Sequence, residues 1–482
     1  MWGLLALLYV GALWGISYVV GRRSANASLD AFYVARRQAH WVWVGYSMVG
    51  TALSGITFIS LPGSVKADSW TYLQVVTGYL IGYLIVAYAL LPAYYRYARA
   101  SIYEYFRHKL GTPAEKTAAI FFLLSRALGG SLRLFLALWA MKQFLPQMPF
   151  SVLVLASLVV ILLYTLRSGV SAIIYTDFLQ TTIFLAAIGL TIYLLWQKPI
   201  LSFFETPHII ELSLNHPHFW LKDIMAGALI ALSMTGLDQD QMQKSLSLPT
   251  LPDAQKNFIL YGLLLFPVNL LFLYAGSTLW AYLGWQGENT LPYDQAFIRV
   301  VQREGGLIQV LFVLGVTAAA LSSADGTLTA LTTATLRNLL PPAYETTRIK
   351  NIILLSWAGI FAGLILLYPY LSLQGHILGV FLRYSGYTYG PLLGLFLFSQ
   401  LFSVKPTASK LIPWLLPALG VIAVILEKVL HIDIGYATIA WIAGICFIGL
   451  AATIGVRRGK PRGSAATSEV SPPPASDYLR EG

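Results

Sequence analysis

The sequence predicts an all-α protein that crosses a membrane many times, and three observations carry that prediction. Of its 482 residues, 57% are apolar and only 11% charged, against about 25% charged in a soluble domain. Thirteen apolar runs approach the roughly 20 residues that a helix needs to cross ~30 Å of hydrocarbon. Lysine and arginine are strongly biased among the segments between those runs. A mean hydropathy of +0.67 excludes a disordered chain and an ordinary cytosolic enzyme. With Cys446 as the single cysteine, there is no disulfide framework and no cysteine-based zinc site.

The runs lie near 2–20, 41–62, 71–95, 118–143, 149–166, 172–196, 221–236, 257–283, 306–336, 350–369, 375–401, 411–428 and 435–456. The first lacks a basic region before it and ends in Gly21-Arg22-Arg23, so it reads as a span rather than a signal peptide. With the N-terminus outside, 22 of the 32 Lys and Arg fall in inner segments and 7 in outer ones. Arg126, Arg133 and Arg383 are left at membrane depth. Lys244 is counted in an inner loop. The split is the positive-inside pattern. It assigns the net charge of +11 to orientation in a cell membrane, with the C-terminus cytoplasmic, and leaves no role for nucleic acid. Residues 457–482, which include Ser-Pro-Pro-Pro, read as a disordered cytoplasmic tail. No soluble catalytic domain is attached, and the longest outer loop is 197–220.

Polar groups at membrane depth are costly and usually face a cavity or a partner helix. In the second span Ser47, Thr51, Ser54 and Thr57 share one helical face. Gly45, Gly50 and Gly55 are interleaved with them, each weakening the helix by roughly 1 kcal/mol against alanine. Such a helix unwinds readily and can offer carbonyls to a cation; close packing through small residues is the competing explanation. The ninth span crowds Ser322, Ser323, Asp325, Thr327, Thr329, Thr332 and Thr333 onto one helix. Paired hydroxyls with a carboxylate nearby suit sodium, a hard cation that takes oxygen ligands; hydroxyls bonded back to their own helix are the alternative. Asp177 opens the sixth span, and either serves a site or snorkels to the inner surface. Arg126 and Arg133 lie seven apart on one face of the fourth span. A guanidinium at mid-membrane needs an anionic partner, supplied by Asp325 or Asp177 or by a solute carboxylate. His216 and His218 read as a surface pair, with no third ligand to make a metal site.

With these residues in view, the chain resembles the sodium/solute symporter family, whose members carry glucose, proline, sialic acid, iodide, vitamins and monocarboxylates. Four stretches carry the resemblance: Ser-x-x-Thr-Phe-x-x-x-Pro-Gly at 54–63; Ser-Gly-Val-Ser-Ala-Ile-Ile-Tyr-Thr-Asp-Phe-Leu-Gln at 168–180; Asp238-Gln239 followed by Gln243-Lys244, where the family has Asp-Gln-x-x-x-Gln-Arg; and Ala-Ala-x-x-Ser-Ser with Ala319, Ser322 and Ser323. They fall in family order over 41–335. The resemblance implies a leucine-transporter-type fold of about 13 transmembrane helices with two inverted five-helix repeats. It divides the chain into a peripheral first helix and basic inner loop (1–40), a first repeat (41–200), a second repeat (201–405), two peripheral helices (406–456) and the tail (457–482). The first helix of each repeat breaks at the midplane, here at the glycines of the second span and near Ser233-Met-Thr-Gly-Leu in the seventh.

Carried onto this chain, the family's sodium site falls on the carbonyls of Gly50, Leu53 and Ala319 and the hydroxyls of Ser322 and Ser323. Solute contacts fall on Ser54, Thr57, Gln74 and Arg133. A second cation position, present in some members, would use Asp177. Here it meets Asp325-Gly326 where two serines would stand, so Asp325 either strengthens that position, titrates or neutralises Arg126. The implied activity is sodium-coupled import of a small organic solute by alternating access, with a carboxylate favoured by Arg133. A sugar or amino acid is the second choice, and a proton-coupled carrier working through Asp177 and Asp325 the third. Sodium is the coupling ion, the bilayer and the solute are the partners, and neither an enzymatic cofactor nor an obligate protein partner is implied.

Overall fold

The computed structural model describes residues 2–23, 29–98, 100–288, 290–371, 377–430 and 438–457. The expectations for the tail from 458 onward and for the Arg383 side chain lie outside the described residues. Helices dominate: α1 (Trp2–Arg23), α2 (Trp41–Ala52), α3 (Gly55–Asp68), α4 (Tyr72–Tyr97), α5 (Thr112–Lys142), α6 (Phe150–Ser168), α7 (Val170–Leu195), α8 (Trp220–Met234), α9 (Gln239–Ser245), α10 (Leu251–Trp285), α11 (Ala296–Glu304), α12 (Gly306–Ala334), α13 (Thr347–Leu367), α14 (Ile377–Leu401), α15 (Ile412–Val429) and α16 (Thr438–Ile454). Each of the thirteen apolar runs coincides with a helix or a bent pair. Among the described residues, seven helices are long and apolar enough to cross a membrane, or nine if each bent pair is one span.

The two bent pairs organise the centre. Helices α2 and α3 meet at 64° through Leu53 and Ser54; α8 and α9 meet at 73° through 235–238. At the first bend Leu53 and Ser54 are extended, and the Thr57 hydroxyl accepts from the Ser54 backbone N–H at 3.4 Å, which starts α3 afresh. Gly55 is required there: a Cβ would lie 2.7 Å from that of Ala137 on α5. At the second bend Asp238 caps α9, accepting from the N–H groups of Asp240 at 2.9 Å and Gln241 at 3.4 Å.

Helices α5, α7 and α12 run unbroken beside these bends and carry the buried polar residues toward them. An aromatic cluster closes the layer above the first bend. Phe58 stacks on Phe297 of α11 at 5.2 Å and meets Phe184, Phe272 and Phe312. Segment 204–220 straps across the same end: Trp70 N–H donates to His208 O, and Gln74 Nε2 to His218 O. Two residues of β-structure pair Phe402–Ser403 with Val456–Arg457.

Candidate functional site

The end of α2 leaves its last carbonyls without intrahelical donors, which places the Gly50 and Leu53 carbonyls at an open helix terminus. Gly50 is the point of closest approach: a side chain there would collide with the Thr181 hydroxyl of α7 and come within 3.2 Å of Ser322 Oγ of α12. Ala319, Ser322 and Ser323 are all buried on α12. Ser322 Oγ donates to Asp177 Oδ1 at 2.6 Å. The buried hydroxyls of Ser323 and Thr181 have no hydrogen-bond partner. Buried polar atoms are rarely left so, and two orphaned oxygens beside open carbonyls fit a hard monovalent cation as cargo. Thr181 was missed in the sequence, although it lies four residues after Asp177 and so on the same helix face.

Asp177 is bound on every side. Its Oδ2 accepts from Ser47 at 2.7 Å, from Thr51 at 3.2 Å and from the ammonium of Lys244 on α9, which also reaches the Thr51 hydroxyl. Lys244 is therefore not in an inner loop: only 1% of its side chain is exposed, and the bend at 235–238 turns it into the core. Asp325 has hydrogen-bond partners of its own. It accepts from Tyr164 OH at 2.7 Å and from the Gly326 N–H at 2.5 Å.

Arg126 also departs from expectation. Its partners are neither Asp325 nor Asp177 but Asp238 at 2.5 Å and Asp240 at 3.7 Å. Asp238 accepts from Tyr389 of α14 as well. The glycine at 326 follows from this: a Cβ there would collide with the Asp240 carboxylate, whose Oδ2 accepts from Thr327 at 3.3 Å. The rest of the Asp-Gln motif braces the bend. Gln239 takes the Ile102 N–H at 2.9 Å and donates to Ala100 O at 2.7 Å, and Gln243 donates to Thr333 at 3.0 Å.

A cavity of about 110 Å³ joins the two bends. Leu53, Ser54 and Thr57 line it from the first, Met234 and Thr235 from the second, with Arg126 and Arg133 from α5 and Tyr72, Tyr79, Tyr83, Tyr261 and Asn269 opposite. Ser54, Thr57 and Arg133 therefore share one chamber. Gln74 does not: its amide accepts from Glu211 N–H at 3.0 Å and donates to His218 O and Asp223 under the strap. The tyrosines are the lining that sequence reasoning missed, since aromatic residues in membrane helices carry no distinctive spacing. A larger cavity, about 930 Å³, lies between α1 and α7; it touches neither bend. His218 sits between Asp223 at 3.2 Å and Asp68 at 3.6 Å, and no group of metal-ligating side chains occurs among the described residues.

The structure is thus a bundle of long apolar helices with two bent pairs around a polar chamber. The model of the sodium:solute symporter family matches residues 32–202. A sodium/sialic acid symporter of Proteus mirabilis is 24% identical over 81% of this chain and 82% of its own length. One of Aliivibrio fischeri is 24% identical over 57% of this chain and 56% of its own length. A sodium-coupled sialic acid symporter, solved substrate-bound and outward-open, superposes with a TM-score of 0.75 at 16% identity, covering 92% of this chain and 95% of that one. The resemblance carried by the motifs holds over these stretches: the chain is similar to sodium:solute symporters, and the relatives it matches are transporters, not enzymes.

Proposed function

We propose that this protein is a sodium-coupled symporter that imports a small carboxylate-bearing solute by alternating access. Spans two to six and seven to eleven form the inverted repeats of a 13-helix chain, with the N-terminus outside and the 457–482 tail cytoplasmic. Sodium binds on the carbonyls of Gly50, Leu53 and Ala319 and the hydroxyls of Ser322 and Ser323, with Thr181 as a further oxygen. It ties the open end of α2 to α12 and so sets the first bend in its solute-binding shape.

The observation that carries this reading is the chamber shared by both bends, lined by Ser54, Thr57 and Arg133, with the orphaned Thr181 hydroxyl lying against Gly50 of the same broken span. Ser54 and Thr57 supply hydroxyls to the same chamber. A guanidinium on an enclosed wall recognises a carboxylate through a two-point fork. Each charge moved inward across 100 mV releases about 2.3 kcal/mol, and about 1.4 kcal/mol is tenfold in concentration. That term would act on a neutral solute; one sodium ion carried with a monoanionic carboxylate moves no net charge, so the sodium concentration gradient drives its accumulation.

Uptake into proteoliposomes under an inward sodium gradient, competed by short carboxylates, sugars and amino acids, tests the reading. Short carboxylates should compete best, and Arg133→Gln should weaken them more than tenfold while changing any sugar little. Equal loss for all classes, or preference for a neutral solute, would overturn the carboxylate assignment. Uptake driven by a proton gradient but not by sodium would replace sodium as the coupling ion.

A further inference from the structure

We propose that Lys244 is a built-in cation, occupying with its own ammonium a place that would otherwise take a second sodium ion. The inference rests on the symporter reading above and fixes its stoichiometry at one sodium per cycle.

The argument begins with the oxygens. Asp177 is completely buried, and around it converge the hydroxyls of Ser47 and Thr51 from α2 and Ser322 from α12. A buried carboxylate ringed by hydroxyls from two other helices is a hard-cation environment. It shares Ser322 with the orphaned Ser323 and Thr181 pair next to it, so the two cation places are neighbours on α12. One of them has its cation built into the chain. The Lys244 ammonium lies on Asp177 Oδ2 and the Thr51 hydroxyl, and Asp240 and Asp325 add further negative field at the same nitrogen. An ammonium is a compact point charge on a flexible stem, the side chain closest in kind to a bound monovalent ion.

The placement has a mechanical consequence. Lys244 belongs to α9, beyond the second bend, and its partners belong to α2 and α7. The tethered charge therefore links the two broken spans permanently, whereas the sodium ion on Ser322 and Ser323 links α2 to α12 only when bound. A cation that never leaves contributes structure and no driving force.

The test titrates sodium, in a potassium background at constant ionic strength, against the thermal stability of the purified full-length protein. Wild type should respond with a Hill coefficient of about 1, and Lys244→Met with one approaching 2, since the freed carboxylate then recruits a second ion. Lys244→Arg should keep the wild-type value. The double variant Lys244→Met/Asp177→Asn removes both charges together, leaves no unpaired ion to unfold the core, and should also return about 1. A wild-type coefficient of about 2 overturns the proposal whatever the variants do. So does an unchanged coefficient in Lys244→Met. Absence of any sodium-specific response in wild type and variants alike would instead overturn the sodium-coupled reading.

Discussion

Arg126 and Lys244 are both almost excluded from solvent and each meets an aspartate, yet their surroundings differ. Arg126 spreads a planar fork across Asp238 and Asp240. Asp238 caps α9 with one oxygen and receives Tyr389 with the other, and the guanidinium forms part of the chamber wall. Lys244 places a point charge on Asp177, whose remaining capacity is filled by hydroxyls. The arginine centre builds the second bend and gives the chamber positive potential. The lysine centre lies behind the first bend, out of the chamber, in a nest of cation ligands. The comparison teaches that the role of a buried charge is set by what else its partner carboxylate touches: helix N–H groups at Asp238, hydroxyl oxygens at Asp177.

The largest effect should come from breaking the arginine centre. Asp238→Ala removes a helix cap and strands Arg126, and losing one partner of a buried pair costs about 3–5 kcal/mol; the variant should fail to yield monodisperse protein by size exclusion. Asp238→Asn keeps a capping oxygen and should recover part of that loss. Lys244→Met should be destabilised by a similar pair penalty in potassium, about 3–5 kcal/mol, but sodium should restore much of it, a rescue that no Asp238 variant would show. Denaturation midpoints in the two salts measure the difference. Gly326→Ala probes the boundary between the centres, because its Cβ would displace the Asp240 carboxylate; a cost of about 1–3 kcal/mol is expected for overpacking, and Gly326→Ser should behave alike.

The smallest effect lies outside the membrane. The hydrogen bond to Asp223 raises His218 above its usual value, with Asp68 adding to it. A raised folded-state value means that the strap's extra stability is fully present below about pH 6.5, the unfolded reference, and is lost as pH rises through the folded value. His218→Gln should therefore lower the melting temperature at pH 6 and leave it unchanged at pH 8.5.

Much of this architecture was legible in the sequence, and the reasons separate cleanly. Both bends lie where glycines at 45, 50 and 55 and the Ser233-Met-Thr-Gly-Leu stretch weakened the helix, because helix failure is a local property. Ser54, Thr57 and Arg133 were grouped by the family resemblance, which put solute contacts on the second and fourth spans; periodicity alone paired Ser54 with Thr57 and Arg133 with Arg126. The partner of Arg126 was not legible, since Asp238 is 112 residues away and only packing selects it over Asp177 or Asp325. Lys244 was misplaced for a related reason: hydropathy assigns a lysine beside an apolar run to a loop, and only the 73° bend turns it inward. Gln74 rested on a gapped match, and its side chain is claimed instead by the strap.

The central claim is that a sodium ion on the Ser322 and Ser323 hydroxyls shapes the chamber for solute. The most direct measurement is the melting temperature of purified wild type and Ser322→Ala/Ser323→Ala, each scanned with short carboxylates in sodium and in potassium. A ligand that binds only the folded state stabilises it by mass action, about 2.7 kcal/mol at a hundred times its Kd. The account predicts that a short carboxylate stabilises wild type in sodium and not in potassium, and that the double variant, still folded, loses this difference. Equal stabilisation in both salts, or a sodium-specific shift that survives the double variant, would contradict it.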